Sequence, residues 1–259
     1  MLFHIGMNMR INLYDLPCVE FDRDEKVLYV DDRPSKPNVR LLRDLKEVLY
    51  DKDLMGNGNL DSPLYFMYRD VKREEDSEIF DVAQLRFDIT IMEPIHLGFE
   101  RNKTLGHYHK IGQTGFSYPE VYEVIQGEAD YILQQVEEGR VIEVVLVQAK
   151  EGDIVYIPSG YWHVTINAGN GLLVMSNLVS KYVEGEYEPV KKYGGIAYFE
   201  LVDGSLVVNK NYGDVPPIRR INAQQTFKRL TEGKLYPQFI NDYTNFQFLD
   251  RIGPKTWQV

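Results

Sequence analysis

A chain of 259 residues that is 44% hydrophobic can supply a real core, and its 39 acidic against 29 basic residues give a formal charge of −10. Such a field repels nucleic acid and anionic membranes, which disfavours both as partners. The single cysteine, Cys18, excludes an intrachain disulfide and a thiolate metal cluster.

In chain order, residues 1–38 predict a polar arm broken by Pro17, Pro34 and Pro37, with one or two short strands such as Lys26–Val30. The start, MLFHIGMNMRINLYDLP, lacks the basic and apolar regions of a secretion signal. No stretch approaches the roughly 18 apolar residues of a membrane span. A cytoplasmic protein is the expectation.

Leu41, Leu42, Leu45, Val48 and Leu49 recur at helical spacing and predict a helix over Val39–Asp51. Strand-like runs then dominate: Leu64–Tyr68, Leu85–Met92, Glu120–Ile125, Ala129–Gln135 and Val141–Gln148. The series continues with Ile154–Ile157, His163–Asn167 and Leu172–Leu178. Short strands punctuated by Gly and Pro indicate an all-β sandwich or barrel. The segment YFELVDGSLVVN, residues 198–209, predicts a hairpin turning at Asp203-Gly204. Beyond Tyr212 a proline-marked loop leads to a helix over Ala223–Leu230. The aromatic tail (Tyr236, Phe239, Tyr243, Phe246, Phe248, Trp257) is expected to wrap the outside of the barrel. The whole reads as a single domain: an arm over 1–38, a helix-plus-barrel core over 39–210 and an extension over 211–259.

Two segments carry the chemistry. In GHYHKIGQTGFSYPEVYEVIQG, residues 106–127, His107 and His109 lie two apart, so a strand puts both rings on one face and Tyr108 on the other. Glu120 opens the next strand and shares a face with Tyr122 and Val124, with Glu123 opposite. The second segment, GDIVYIPSGYWHVTIN, spans residues 152–167 and contains His163. A solitary strand histidine is usually a packing residue, but three of the five histidines fall in these two segments, and His4 and His96 have no such company. Three imidazoles and one carboxylate suit Fe(II), Zn, Mn or Ni and leave coordination positions open.

The pattern Gly152-x5-Pro158-x-Gly160-x2-His163-x3-Asn167 resembles the second motif of the cupin superfamily. His107-Tyr108-His109 followed by Glu120-x6-Gly127 resembles the first, with a longer spacer than usual (residues 110–119) before Glu120. Over about residues 39–210, T-x-G-H-Y-H, E-V-Y-x-V-x-x-G, Y-I-P-x-x-Y-W-H-x-T-I-N and the upstream Y-x-x-Y…D-I-T are similar to the archaeal, cupin-type glucose-6-phosphate isomerases. This resemblance implies a double-stranded β-helix (jelly-roll) barrel with a few peripheral helices, assembled as a homodimer. It implies one divalent metal per chain, Fe2+ first and Zn2+, Mn2+ or Ni2+ as alternatives, held by His107, His109, Glu120 and His163.

The implied substrate is a sugar phosphate. The implied reaction is aldose–ketose interconversion of glucose 6-phosphate and fructose 6-phosphate through an enediolate, with Glu120 shuttling the proton. Thr90, Thr104 and Gly106 are the implied phosphate site, and Tyr65, Tyr122, Tyr161 and Tyr187 the implied lining of the sugar pocket. Arg101, Lys103 and Lys110 are the cations nearest in sequence to that site. The chain departs from the family in SKYVEGEY: Gly185 stands where the family has a histidine, and Val179 near a family tyrosine that Tyr182 could replace. Alternatives on the same barrel are an isomerase or epimerase of an unphosphorylated sugar, an iron oxygenase and a non-catalytic sugar-binding protein.

Overall fold

The computed structural model describes residues 10–14, 19–111, 115–226 and 234–250. Successive strand residues point to opposite faces, and several strands bury both, so the core divides into two clusters. The N-terminal strands are β1 (Arg10–Tyr14), β2 (Val19–Asp22), β3 (Val27–Val30), β4 (Arg33–Ser35) and β5 (Asn38–Leu41). Next come β6 (Pro63–Tyr68), β7 (Leu85–Met92), β8 (His96–Leu97), β9 (Glu100–Arg101) and β10 (Tyr108–His109). The central group is β11 (Glu120–Gln126), β12 (Glu128–Glu137), β13 (Arg140–Lys150), β14 (Ile154–Ile157), β15 (Tyr161–Asn167) and β16 (Leu173–Ser180). The last are β17 (Gly185–Glu186), β18 (Tyr198–Glu200), β19 (Leu206–Val208) and β20 (Arg219–Asn222). Helices are short: α1 (Leu54–Asn57), α2 (Ser77–Ala83), α3 (Glu188–Lys192) and α4 (Leu235–Asn241).

A six-stranded sheet in the order β14-β11-β16-β7-β6-β5 and a four-stranded sheet in the order β15-β12-β13-β20 form the two walls of a jelly-roll, double-stranded β-helix barrel. Between them lies one buried cluster that includes Leu133, Val145, Val155, Val164 and Leu173. The predicted barrel strands recur with ends shifted by a few residues, and the expected hairpin forms as β18 against β19.

A second cluster packs on the outer face of the six-stranded sheet. Residues 10–35 give more than the expected one or two strands: β1 to β4 make an antiparallel sheet of their own. This sheet and the aromatic tail share that outer face, with Phe21, Leu28, Phe87, Tyr236, Phe239 and Phe246 buried together. Glu123, on the outer face of β11, ties the two ends together: it accepts from the Tyr14 hydroxyl at 2.7 Å and from the Leu235 N–H at 2.9 Å. The tail therefore covers the barrel's outside, as expected. Trp257 and Cys18 lie outside the described residues.

The predicted helix over Val39–Asp51 does not form. Val39 and Arg40 instead pair with Phe66 and Tyr65, making β5 the edge of the six-stranded sheet, and only a 3-10 turn follows at Leu42–Leu45. The leucine spacing was a burial signal rather than a helix signal. Leu42, Leu45, Val48 and Leu49 are all buried, and a 3-10 turn also brings residues three apart to one side. Of the predicted helix over Ala223–Leu230, the described part is a 3-10 turn at Ala223–Gln225, and residues 227–233 lie outside the described residues.

Candidate metal centre

The inner face of the six-stranded sheet carries its polar side chains at every second position. Register places Glu120 of β11 opposite Val179 of β16 and Tyr122 opposite Asn177. On the far side of β16, Asn177 faces Asp88 and Met175 faces Thr90 of β7. From the opposite wall, His163 on β15 is locked to His107 by a two-way backbone bridge. The His107 N–H reaches the His163 carbonyl at 3.1 Å, and the His163 N–H reaches the His107 carbonyl at 2.8 Å. His109 follows on β10, opposite Gly185 of β17.

One potential ligand atom from each of His107, His109, Glu120 and His163 lies within 4.8 Å of the other three. The three ring centroids are 4.4 to 5.5 Å apart. His109 Nδ1 sits 2.7 Å from the Tyr118 carbonyl oxygen, an acceptor, so in the neutral ring Nδ1 holds the proton and Nε2 keeps its lone pair. That Nε2 lies 3.3 Å from Glu120 Oε2, and His163 Nε2 lies 3.5 Å from the same oxygen. Glu120 Oε2 is buried and has no hydrogen-bond partner among the described residues. A buried carboxylate oxygen without a hydrogen-bond partner, set between ring nitrogens, is a place where a cation gains several donors at once. The donor set therefore fits a divalent ion, and the donor types match a first-row metal. Asn177 Nδ2 donates to the other oxygen, Oε1, at 2.6 Å and fixes the carboxylate's orientation.

The protonation states also match metal ligation. Burial, reinforced by the neighbouring rings and arginines, holds His107 far below the ordinary histidine value. Burial pulls His163 down to about 4, with Glu120 opposing and His109 assisting. Burial alone would raise Glu120, but His109 and His163 beside it outweigh that, and the net shift is downward. For His163 the unfolded chain takes its proton near 6.5 and the folded chain only near 4. The unfolded state thus binds more protons in that window, and the metal-free protein is expected to lose stability as the pH falls from 6.5 toward 4. The loss from this residue is on the order of 3 kcal/mol. Urea unfolding across that range measures it, and a flat profile would contradict the buried neutral imidazole.

The centre opens on a cavity of about 260 Å3. Thr90, Thr104, Gly106, Tyr65, Tyr122 and Tyr187 all line it, together with the four metal-type donors. The Tyr122 hydroxyl is 3.5 Å from His163 Nε2, and the Tyr187 ring centroid is 5.4 Å from that of His107. Tyr161 is a correction: it is buried but does not line the cavity, because its hydroxyl is tied to the Glu143 carboxylate on β13. Tyr182 is exposed, with its hydroxyl on Gln84, and does not stand in for a cavity tyrosine. The cations near in sequence are also elsewhere. Lys103 pairs with Glu100, Lys110 with Glu184 at 3.0 Å and Arg101 with Glu200 at 3.4 Å. The cavity's cations are instead Arg40, Arg69 and Arg86, which sequence reading missed. The two-residue spacing of Arg86, Asp88 and Thr90 on β7 was the available signal, since it puts all three on the face that carries Thr90.

A family model described as glucose-6-phosphate isomerase (GPI) matches residues 39–217. The chain belongs to this family. The glucose-6-phosphate isomerase of Thermococcus litoralis is 30% identical over 183 residues, covering 68% of this chain and 87% of that protein. The one of Thermococcus kodakarensis is 25% identical over 177 residues, covering 68% and 87%. Solved structures with a related fold include an oxalate decarboxylase of Lactobacillus farciminis, with TM-score 0.35, 19% identity, and cover of 47% of this chain and 30% of that one. The coconut allergen cocosin has TM-score 0.33 and 19% identity, with cover of 45% and 28%. This chain thus spans less than a third of either structure. Among the described residues, no helix is long and apolar enough to cross a membrane.

If Asn177 orients the centre, replacing it by Ala frees the Glu120 carboxylate. Metal affinity is then expected to fall about tenfold or more. Competition titration against a chromophoric chelator reads this out, with far-UV circular dichroism as the folding control.

Proposed function

We propose that this chain interconverts glucose 6-phosphate and fructose 6-phosphate as a metal-dependent isomerase, with iron the first candidate metal. The observation that carries the reading is the convergence of His107, His109, Glu120 and His163 at the wall of a cavity that Thr90, Thr104 and Gly106 also line. Membership of the isomerase family supports the same substrate. A divalent cation held by these four side chains would supply positive charge where the sugar's O1 and O2 gain negative charge.

The chain's own residues do the rest. Thr104 Oγ1 accepts from the Thr165 N–H at 3.0 Å, which leaves the Thr104 hydroxyl proton free for a phosphate oxygen. Gly106 sits at φ +84°, a conformation that other residues rarely adopt, so the backbone path past the cavity depends on glycine. Tyr65, Tyr122 and Tyr187 wall off the sugar from water. Glu120 takes the proton from C2 of the open-chain aldose and returns it to C1 of the ketose. One carboxylate oxygen stays on Asn177 during this transfer.

The test is an assay of metal-reconstituted protein on fructose 6-phosphate, with fructose and chelated protein as controls. Turnover of the phosphate ester alone, lost on chelation, is expected. Turnover of fructose at a comparable rate would favour an isomerase of unphosphorylated sugars. Deuterium from solvent should appear at C2 of the glucose 6-phosphate formed, and its absence would point to a hydride shift.

A further inference from the structure

Three guanidinium groups line the cavity, and they differ in whether a carboxylate holds them in place. Arg69 closes on Asp88 at 2.6 Å, and Arg86 closes on the same carboxylate at 2.9 Å. Asp88 is itself buried, so this trio is held in place by the protein. Arg40 is different. It is half-buried, its Nε is buried without a hydrogen-bond partner, and no carboxylate among the described residues lies within ion-pair distance of it. Burial works against the Arg40 charge, and the Tyr65 hydroxyl, with Tyr187 and Asp44 around it, more than offsets this; what the guanidinium still lacks is an anionic partner for its fork.

The position of Arg40 says which anion. Arg40 stands opposite Tyr65 in the β5–β6 pairing. The Tyr65 hydroxyl accepts from the Leu105 N–H at 3.2 Å, in the middle of the Thr104-Leu105-Gly106 segment. On its other side, Arg40 lies over the Tyr187 ring at 5.7 Å. The guanidinium is thus beside the hydroxyl and backbone groups suited to an oxyanion. It also has the planar, multi-donor shape that suits phosphate oxygens.

We propose that Arg40 is a phosphate-binding, specificity-determining residue: its missing counter-ion is the phosphate of the substrate. This rests on the isomerase reading for the identity of the sugar, but not for the binding of phosphate itself. Arg40 explains how a chain of net charge −10 admits a dianionic substrate. It also accounts for a preference for the phosphorylated over the free sugar, because only the former supplies the charge.

The experiment uses metal-loaded wild type, R40Q, R40K and R69Q, matched for metal content and thermal unfolding. Inorganic phosphate is titrated calorimetrically, and KM is measured for fructose 6-phosphate. R40Q is expected to weaken both about tenfold or more. R40K, which keeps the charge but not the fork, should fall between, and R69Q should weaken them less because Asp88 already holds that arginine. Phosphate affinity in R40Q equal to wild type overturns the proposal, as does an equal loss in R69Q. If the wild type does not turn over fructose 6-phosphate, the isomerase reading fails, while the phosphate titrations still decide the role of Arg40.

Discussion

Replacing His163 by Ala is expected to empty the centre and to reduce isomerase activity at least ~100-fold. His163 is 2% exposed and reaches toward Glu120 from the wall opposite the six-stranded sheet. Its backbone bridge to His107 uses main-chain groups only, so the alanine variant keeps the pairing that brings the two walls together. What is lost is one of four donors, and with it the only one that β15 contributes to the centre. Metal analysis after desalting should give about one ion per chain in the wild type and close to none in the variant. Circular dichroism and metal-free unfolding should remain similar. His96→Ala is the matched control, because that residue is exposed and is not one of the four converging donors. A His163→Ala protein that retains its metal and its turnover would falsify the four-donor centre.

The barrel was legible because a strand's period of two survives almost any loop. Leu85–Met92 and Leu172–Leu178 read as strands from their own side chains, and the structure pairs them with Asn177 opposite Asp88 and Met175 opposite Thr90. The candidate metal donors were legible for a similar reason: His107 and His109 lie two apart in extended chain. Glu120 was harder, since residues 110–119 separate it from His109, but its place at the start of β11 puts it on the inner face regardless of that loop. Charge near in sequence was no guide to the cavity's cations. Lys103, Lys110 and Arg101 neighbour the histidines in sequence, yet each is spent on a nearby acid. Arg40 and Arg86 lie on β5 and β7, and Arg69 just after β6, so they reach the cavity through the pairing of those strands. Only the alternation of Arg86, Asp88 and Thr90 on β7 was locally readable, and nothing local marks Arg40 or Arg69. The Val39–Asp51 segment failed for a related reason, because the open edge of β6 captured residues that leucine spacing alone assigned to a helix.

Gly185 takes a definite meaning only from the fold. A Cβ at this position would come within 3.1 Å of His107 Cδ2 and 3.3 Å of the Tyr187 hydroxyl. Any larger residue on this backbone must push on a proposed metal donor. The glycine is therefore compatible with the way His107 and Tyr187 pack here, with ring centroids 5.4 Å apart. A histidine at 185 requires a different seat for both rings.

Replacing Glu120 by Gln separates two roles that the geometry assigns to one carboxylate. The amide oxygen can keep the Asn177 donor, which now sits 2.6 Å from Oε1. The amide NH2 then faces His109 Nε2 and His163 Nε2, at the place where Oε2 lies 3.3 and 3.5 Å from them. It donates to their lone pairs, so the fold should survive while the anionic ligand is gone. Metal affinity is expected to fall about 10- to 100-fold. At metal concentrations high enough to restore occupancy, kcat should still be lower by about a hundredfold or more, because the amide cannot accept the C2 proton. Glu120→Asp keeps the charge on a shorter arm and should lie between. The deciding measurement is solvent deuterium entry into product at full occupancy. If the Gln variant exchanges at the wild-type rate, another group moves the proton and Glu120 serves the metal alone. If exchange and turnover fall together while metal is held, the carboxylate is the base.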